Sequence, residues 1–398
     1  MRKIVYILGI GAFLLTACQK EMTVSSDNNG EIAYTLQFAS SSPRLFVAGN
    51  QADLELVNLS PEGDPVSVTE SVVCQAYVPS NASELLASFN EKWASDCVLA
   101  PSDVYSLNSA TMKSGTQNAS IHLRVDTEKI KTKKSSHAYL IPLRLKTDCA
   151  DVKSHALQFI VLPTYTTNAA GRTLVHFSTK NAYLEMYYTN QPNTKAMIFC
   201  PGGGYSELNN PVPTHYEGNG IAVGVLWYTL PVNQLIGRHD LVLQDAFDAI
   251  DILWANASRW GGYTKVGTAG RSAGGHLAAT TAAYYSSKVD FQILLYAVIN
   301  MNIGKSHEGS VHQFLGEYPT QEEIDAFTIY KQVNTQTPRA FITWCDDDSV
   351  VPQEFNCAPM ALALEMSGVP VTKSVHKTGG HATGLDYPDC VLDWLKTF

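Results

Sequence analysis

The sequence predicts an α/β protein: a mostly parallel sheet flanked by helices, preceded by a smaller all-β sandwich. Three observations carry this. From about residue 170, strand-length apolar runs alternate with helical stripes, the pattern of a parallel sheet covered on both faces. Before about residue 165 the apolar period is two, with frequent Gly, Pro, Asn and Ser between runs. Third, a glycine-flanked serine stands where an apolar strand meets a helix rich in small residues, in "KVGTAGRSAGGHLAATTAA". At 398 residues the chain has the length of two domains, and with 45% hydrophobic and 16% charged residues it has ample material for a core.

The opening "MRKIVYILGIGAFLLTACQK" is not part of the fold. Arg2 and Lys3 precede an apolar run from Ile4 to Leu15, too short to span a bilayer and laid out as a secretory signal. Its end, "LTAC", resembles a bacterial lipobox, which implies cleavage before a lipidated Cys18. The expected organisation is a signal peptide over 1–17, a polar tether over 18–31, a sandwich over 32–165 and a catalytic domain over 170–398. The expected location is that of an exported lipoprotein anchored to the outer membrane, at the cell surface or in the periplasm. Seven cysteines remain after Cys18, at 74, 97, 149, 200, 345, 357 and 390. An odd number leaves at least one free thiol, and their spacing matches no metal site.

In the N-terminal half, "SIHLRVD" sets Ile121, Leu123 and Val125 against His122, Arg124 and Asp126, one buried face and one wet one. "YLIPLRLK" and "HALQFIVLP" repeat the habit. One helix is predicted at "ASELLASFNEKW", where Leu85, Phe89 and Trp93 recur every four residues. The basic "KIKTKK" at 129–134 is expected to be an exposed strand end or turn. In the C-terminal half, "AMIFC", "GIAVGVLWY", "TKVGTAG", "DFQILLYAVIN", "RAFITWC" and "VTKSVHK" are predicted strands. "LQDAFDAIDILWAN" is a predicted helix with Phe247, Ile250 and Trp254 on its apolar stripe.

Gly270-Arg271-Ser272-Ala273-Gly274 fits G-x-S-x-G, in which glycines let a strand turn sharply into a helix beside the serine. In a chain with 27 glycines the pattern alone says little, so its context matters. The loop Gly202-Gly203-Gly204 follows an earlier strand, where oxyanion-hole donors belong. Asp348 lies 76 residues beyond Ser272, at the end of a strand, and His381 lies 33 further, after the last strand. The order Ser, Asp, His is that of α/β-hydrolases. These residue types suit acyl transfer: a serine hydroxyl is a weak nucleophile until a histidine takes its proton, and a carboxylate holds that histidine in the required tautomer. The acid is Asp348 or its neighbour Asp347, since three consecutive carboxylates cannot all turn inward. The amide of Ala273 is one candidate oxyanion donor.

The C-terminal half also resembles the acetylxylan-esterase-like carbohydrate esterases of the α/β-hydrolase fold. "CPGGGY", "EGNGIAVGVLWYTLP", "QDAFDAI", "GRSAGGHLAA", "TPRAFITWCDDDSVVP" and "GGHATG" follow in the group's order. The resemblance implies a serine esterase removing acetyl or another small acyl group from carbohydrate through an acyl-enzyme. It selects Asp348, four residues before Pro352, as the acid, and implies Gly203 and Gly204 as further oxyanion donors. Arg271 departs from the group, which more often has a bulky apolar residue there. The N-terminal half, through "LAPSDVYSL", "MKSGTQNASIHLRVD" and "AYLIPLRL", is similar to an immunoglobulin-like domain found at the start of bacterial surface lipoproteins.

The net charge of −9 and the want of a dense Lys/Arg cluster exclude nucleic acid as a partner. The implied partners are an acylated oligo- or polysaccharide and, through Cys18, a membrane. The chemistry requires no metal and no cofactor. His276 is expected to be packed or hydrogen-bonded, Asp245 and Asp248 to be helix-start and solvent-face acids, and Tyr205 to be a core or wall aromatic. His307 and His312, in the stretch "KSHEGSVHQFLGE", have no metal spacing and no assigned role. Two other readings stay open: a peptidase or feruloyl-type esterase on the same fold, and a non-catalytic glycan-binding lipoprotein whose platform would include Trp93 or Tyr105.

Overall fold

The computed structural model describes residues 34–398 except 41, 43, 150–151, 190–191, 210–213 and 382–386. The signal peptide, Cys18 and the tether lie outside the described residues. The chain divides into two compact units, one ending at Thr166 and the other beginning at Thr167.

The N-terminal unit holds β1 (Tyr34–Phe38), β2 (Arg44–Phe46), β3 (Gln51–Leu59), β4 (Val72–Tyr77), β5 (Val98–Leu99) and β6 (Tyr105–Leu107). These are followed by β7 (Ser109–Met112), β8 (Asn118–Val125), β9 (Tyr139–Thr147), β10 (Val152–Lys153) and β11 (Leu157–Leu162). One sheet has the order β10-β1-β3-β8-β6 and the other β2-β11-β9-β4-β7, with β5 added beside β9. Strand β8 lies against β4 and β7 of the other sheet, so the sheets form two layers. Within β8, Ile121, Leu123 and Val125 are buried while His122 and Arg124 are exposed, as the period of two predicts. Helix α1 (Ala82–Lys92) buries Phe89 against Cys97, Ala138, Leu140 and Val161, and Trp93 packs on the same cluster. Trp93 is therefore half-buried core, not a sugar platform, and Tyr105 is half-buried in β6.

The predicted helix is present as α1, but the basic stretch departs from its expected form. Residues 129–134 are not a strand end: helix α2 (Thr127–Lys133) forms because the Asp126 carboxylate accepts the Lys129 N–H and caps it. With two helices the unit is β-rich rather than all-β. Three of its strand pairs, β1–β10, β2–β11 and β5–β9, are parallel.

Strand β12 (Thr164–Thr167) leads to the C-terminal unit. Its strands are β13 (Thr173–His176), β14 (Tyr183–Tyr187), β15 (Lys195–Cys200), β16 (Ile221–Trp227), β17 (Val266–Arg271), β18 (Phe291–Leu295), β19 (Arg339–Cys345) and β20 (Val371–His376). They lie in the order β13-β14-β16-β15-β17-β18-β19-β20, antiparallel as far as β16 and parallel from there on. The helices are α3 (Thr214–Glu217), α4 (His239–Ala255), α5 (Ala273–Tyr284), α6 (Glu308–Leu315), α7 (Gln321–Phe327), α8 (Cys357–Met366) and α9 (Tyr387–Leu395).

Strand residues alternate between the two faces, and both faces are covered. Met197, Phe199, Val223, Ala269, Ile293 and Phe341 pack with Tyr216 of α3 and Val391 and Trp394 of α9. On the opposite face the Thr268 hydroxyl donates to the Ala278 carbonyl of α5, 3.0 Å away, and α4 packs on α5. The α4 stripe differs from the one predicted. Phe247 and Trp254 are only half-buried, whereas Asp245 and Asp248 are buried. Asp245 turns inward because it has partners there: it accepts the Thr179 hydroxyl and, at 2.8 Å, the Thr229 N–H. The stretch around His307 and His312 forms α6, with His307 as its N-cap.

Candidate active site

The site is assembled at the C-terminal ends of β15, β17, β19 and β20, where a parallel sheet presents its loops together. Strand β17 stops at Arg271, and α5 begins at Ala273. Ser272 between them has φ 53° and ψ −124°, a conformation that non-glycine residues adopt only when the surroundings enforce it. The enforcement is visible. The Ser272 N–H donates to the Leu295 carbonyl at 3.0 Å, and its carbonyl accepts from Val298 N–H at 3.0 Å. A Cβ on Gly270 would stand 2.1 Å from the Gly274 carbonyl oxygen, and one on Gly274 would stand 2.1 Å from that of Cys200. Only glycine permits the strand, the turn and the neighbouring β15 end to approach this closely. The Ser272 side chain caps nothing on α5.

Instead it faces a histidine. Ser272 Oγ lies 3.0 Å from His381 Nε2, and His381 Nδ1 lies 2.8 Å from Asp348 Oδ2. The Asp348 side chain is fully buried and that of His381 is 17% exposed. A carboxylate only accepts, so Nδ1 carries the proton and donates it to Asp348, leaving Nε2 to accept the serine hydroxyl. Burial pushes the Asp348 carboxyl up, but the hydrogen bonds from His381, the Val351 N–H and Gln353 outweigh it and hold the group below its ordinary value. Its Oδ1 accepts Val350 N–H at 3.0 Å and Val351 N–H at 2.9 Å, and its Oδ2 accepts Gln353 Nε2–H at 3.0 Å.

The other two aspartates have separate work. Asp347 accepts the amides of Gly379 and Gly380 at 3.2 and 2.8 Å, which ties down the loop before His381. Asp346 accepts Trp344 Nε1–H and pairs with Lys377 Nζ at 2.9 Å. Neither touches the histidine ring. Tyr296, buried and with φ 38°, sets its ring edge-on to that of His381 at 5.0 Å between centroids.

The glycine loop after β15 lies against this serine turn: a Cβ on Gly202 would meet Ser272 Cβ at 3.3 Å. The Gly202 and Gly203 carbonyls accept amides from within the loop, while among the described residues the Gly203 and Gly204 N–H groups donate to no protein acceptor. Ala273 N–H heads α5, where a helix has no internal partner for it. Tyr205, which follows Gly204, is fully buried rather than lining the opening. Its hydroxyl donates to His276 Nδ1 at 2.8 Å, and His276 Nε2–H donates to the Phe327 carbonyl at 2.9 Å. Burial holds the His276 imidazole neutral, its pKa lowered to about 4. Arg271 reaches away from the serine to donate to the Asn209 carbonyl at 3.0 Å.

Three residues beside the site had no assigned role in the sequence. Gln353 follows the V-P pair and bonds the acid. Tyr296 ends an apolar run. His307 stands at the head of α6 with its Cε1 only 3.2 Å from where a Gly204 Cβ would be.

This strand order, with a nucleophile-type turn after β17, defines the C-terminal unit as an alpha/beta hydrolase-fold domain. Residues 238–384 match the family model described as alpha/beta hydrolase fold, and residues 65–151 match a model of an N-terminal domain. The chain is 31% identical over 238 residues to an acetylxylan esterase of Xylanibacter ruminicola, covering 54% of this chain and 48% of that protein. It is 32% identical over 216 residues to endo-1,4-beta-xylanase B of Butyrivibrio fibrisolvens, covering 50% and 34%. The chain thus spans half or less of the length of these curated relatives. Among solved structures it is similar to an acetyl ester-xyloside bifunctional hydrolase from Caldicellulosiruptor lactoaceticus, at 27% identity and a TM-score of 0.49, covering 54% of this chain and 88% of that one.

Proposed function

We propose that the protein is a serine esterase that removes acetyl, or another small acyl group, from carbohydrate. The observation that carries this reading is His381, hydrogen-bonded on one nitrogen to Ser272 and on the other to the buried Asp348. Ser272 Oγ attacks the ester carbonyl carbon as its proton passes to His381 Nε2. The carbonyl oxygen becomes an oxyanion held by the amides of Gly203, Gly204 and Ala273, each worth about 3 kcal/mol in the transition state. The C–O bond to the sugar then breaks, and His381 returns its proton to the departing alcohol oxygen. Water, deprotonated by the same nitrogen, hydrolyses the acyl-serine and restores the enzyme. Asp348 stabilises the imidazolium in both halves. The carbohydrate substrate rests on the similarity to an acetylxylan esterase.

The test is acetate release from acetylated xylan, with p-nitrophenyl acetate as control, comparing the wild type with Ser272→Ala. Release from both substrates that disappears in the variant supports the reading. Serine-dependent turnover of the small ester alone keeps the mechanism and removes the carbohydrate. No serine-dependent turnover of either overturns the esterase assignment.

We also propose export as a lipoprotein anchored at Cys18, supported by the cationic start, short apolar run and "LTAC" of the leader. A fatty-acid label incorporated by the wild type and still present in Cys18→Ser would overturn it.

A further inference from the structure

The His307 ring lies against the glycine loop, with its Cε1 3.2 Å from the position of a Gly204 Cβ. Its Nδ1 accepts the Ser310 N–H at 3.1 Å, capping α6. A backbone amide only donates, so Nδ1 is bare and the proton of the neutral ring is on Nε2. Among the described residues no acceptor is bonded to that Nε2–H. The ring edge lies against Gly204, and burial followed by the nearby His381 charge lowers the His307 pKa, so the imidazole stays neutral beside its partner. The segment leading to it is fixed. Buried Asn356 accepts the amides of Ile299 and Asn300 at 2.9 Å each and the Ser306 hydroxyl at 3.1 Å, and it donates to the carbonyls of Lys305 and Pro352. His307 is thus a preorganised donor held by the loop that also carries Asp348.

We propose that His307 is a substrate-binding residue whose Nε2–H donates to the alcohol side of the ester, to a sugar hydroxyl beside the esterified one. This rests on the esterase reading above. The oxyanion has three amide donors of its own in Gly203, Gly204 and Ala273. His381 Nε2 has to reach the departing alcohol oxygen, which leaves the His307 ring, in contact with the Gly204 backbone, to meet the part of the substrate beyond it. A sugar ring offers hydroxyls there as acceptors, and a p-nitrophenyl group offers none.

The experiment is His307→Ser, which keeps an oxygen to cap α6 but removes the ring donor. For an acetylated xylo-oligosaccharide, kcat/KM is expected to fall roughly tenfold, the yield of one neutral hydrogen bond, mainly through KM. For p-nitrophenyl acetate the fall is expected to be about threefold or less, because its leaving group makes no such bond. Equal losses on both substrates with a lowered Tm would overturn the proposal and leave His307 a helix cap. So would an unchanged KM for the sugar ester. If the wild type turns over p-nitrophenyl acetate in a Ser272-dependent way but no sugar ester, the carbohydrate reading falls and the His307 assignment falls with it.

Discussion

Replacing Asp348 by Asn tests the proposed role of its carboxylate in fixing the His381 tautomer. The Asp348 Oδ1 is held by two backbone amides, so the single carbonyl oxygen of an asparagine is expected to stay with Val350 and Val351. Its NH2 group then faces His381 Nδ1, which must become an acceptor. The imidazole proton moves to Nε2, the atom that has to take the proton of Ser272, and the serine loses its base. The imidazolium also loses its counter-charge. A wrong tautomer of this kind costs about 10⁴ in turnover, or about 5.4 kcal/mol at 1.36 kcal/mol per decade. Asp347→Asn is the matched control, because it alters the neighbouring carboxylate by the same atoms. It keeps an oxygen for the Gly380 amide, so the expected loss is that of a weakened loop contact, about tenfold at most. Steady-state hydrolysis of p-nitrophenyl acetate separates the two by about three decades. The reasoning fails if Asp348→Asn stays within about tenfold of the wild type, and the acid would be reassigned if Asp347→Asn were the one to collapse.

Three further outcomes follow from contacts already described. Gly274→Ala places a methyl 2.1 Å from the Cys200 carbonyl and 2.3 Å from that of Pro201, both backbone atoms. Such overpacking costs about 3 kcal/mol or more, a fall of about 6–12 °C in Tm for a domain of this size. Gly218→Ala, whose Cβ would come no nearer than 3.4 Å to the Thr214 carbonyl, is expected to leave thermal melts nearly unchanged. Tyr205→Phe strands the buried His276 Nδ1 without a donor, at about 1–3 kcal/mol, and frees the loop that carries Gly203 and Gly204. Differential scanning calorimetry should show the loss, kcat should fall more than KM rises, and an unchanged Tm would refute the contact. Burial raises Asp245 to about 7 from 3.8, against the pull of its bonds from Thr179 and Thr229 and with the push of Asp248. The folded state therefore holds the proton more tightly than the unfolded chain, and this contribution to stability is full below about pH 4 and lost as pH rises through about 7. Wild-type Tm should drop across that window relative to Asp245→Asn; parallel curves would refute the assignment.

Much of the site was legible in the sequence because its residues sit at ends of strands that announce themselves. The apolar runs of β15, β17 and β19, with the more polar β20 after them, place a glycine loop, a serine, an aspartate and a histidine at one edge of a parallel sheet, whatever the details of the loops. Period-two alternation in β8 likewise survives into the structure without correction. What failed depended on partners distant in sequence. Asp245 and Asp248 look like wet positions on an amphipathic helix, and nothing local says that the Thr229 N–H will donate to one of them. His307 meets Gly204 at the end of a segment, 299–306, that is held by Asn356, 49 residues further on from His307. The α2 error was different in kind. Asp126 directly before "TEKIK" is a local helix-start signal that needs no distant partner.

Choosing among Asp346, Asp347 and Asp348 shows why spacing alone was insufficient there. The three are chemically identical and adjacent, so only family resemblance favoured the last. The structure supplies the physical reason: the turn after β19 aims two successive amides, from Val350 and Val351, at the Asp348 carboxylate and none at its neighbours. Those amides do more than select the residue. The Val351 amide joins the His381 and Gln353 bonds in holding the carboxyl below its ordinary value while burial pushes it up, and a protonated acid would neither fix the Nδ1–H tautomer nor offset an imidazolium. Meanwhile Asp347 uses its charge on the amides of Gly379 and Gly380, so that the ring of His381 arrives at Asp348 on a loop already tied to the adjacent residue. Acid and base are therefore positioned by one short turn rather than by two independent loops. Lengthening that turn should cost activity even where every side chain is kept, and inserting one glycine between Asp348 and Ser349 tests it: wild-type turnover in a folded insertion variant would show that the two loops reach the site separately.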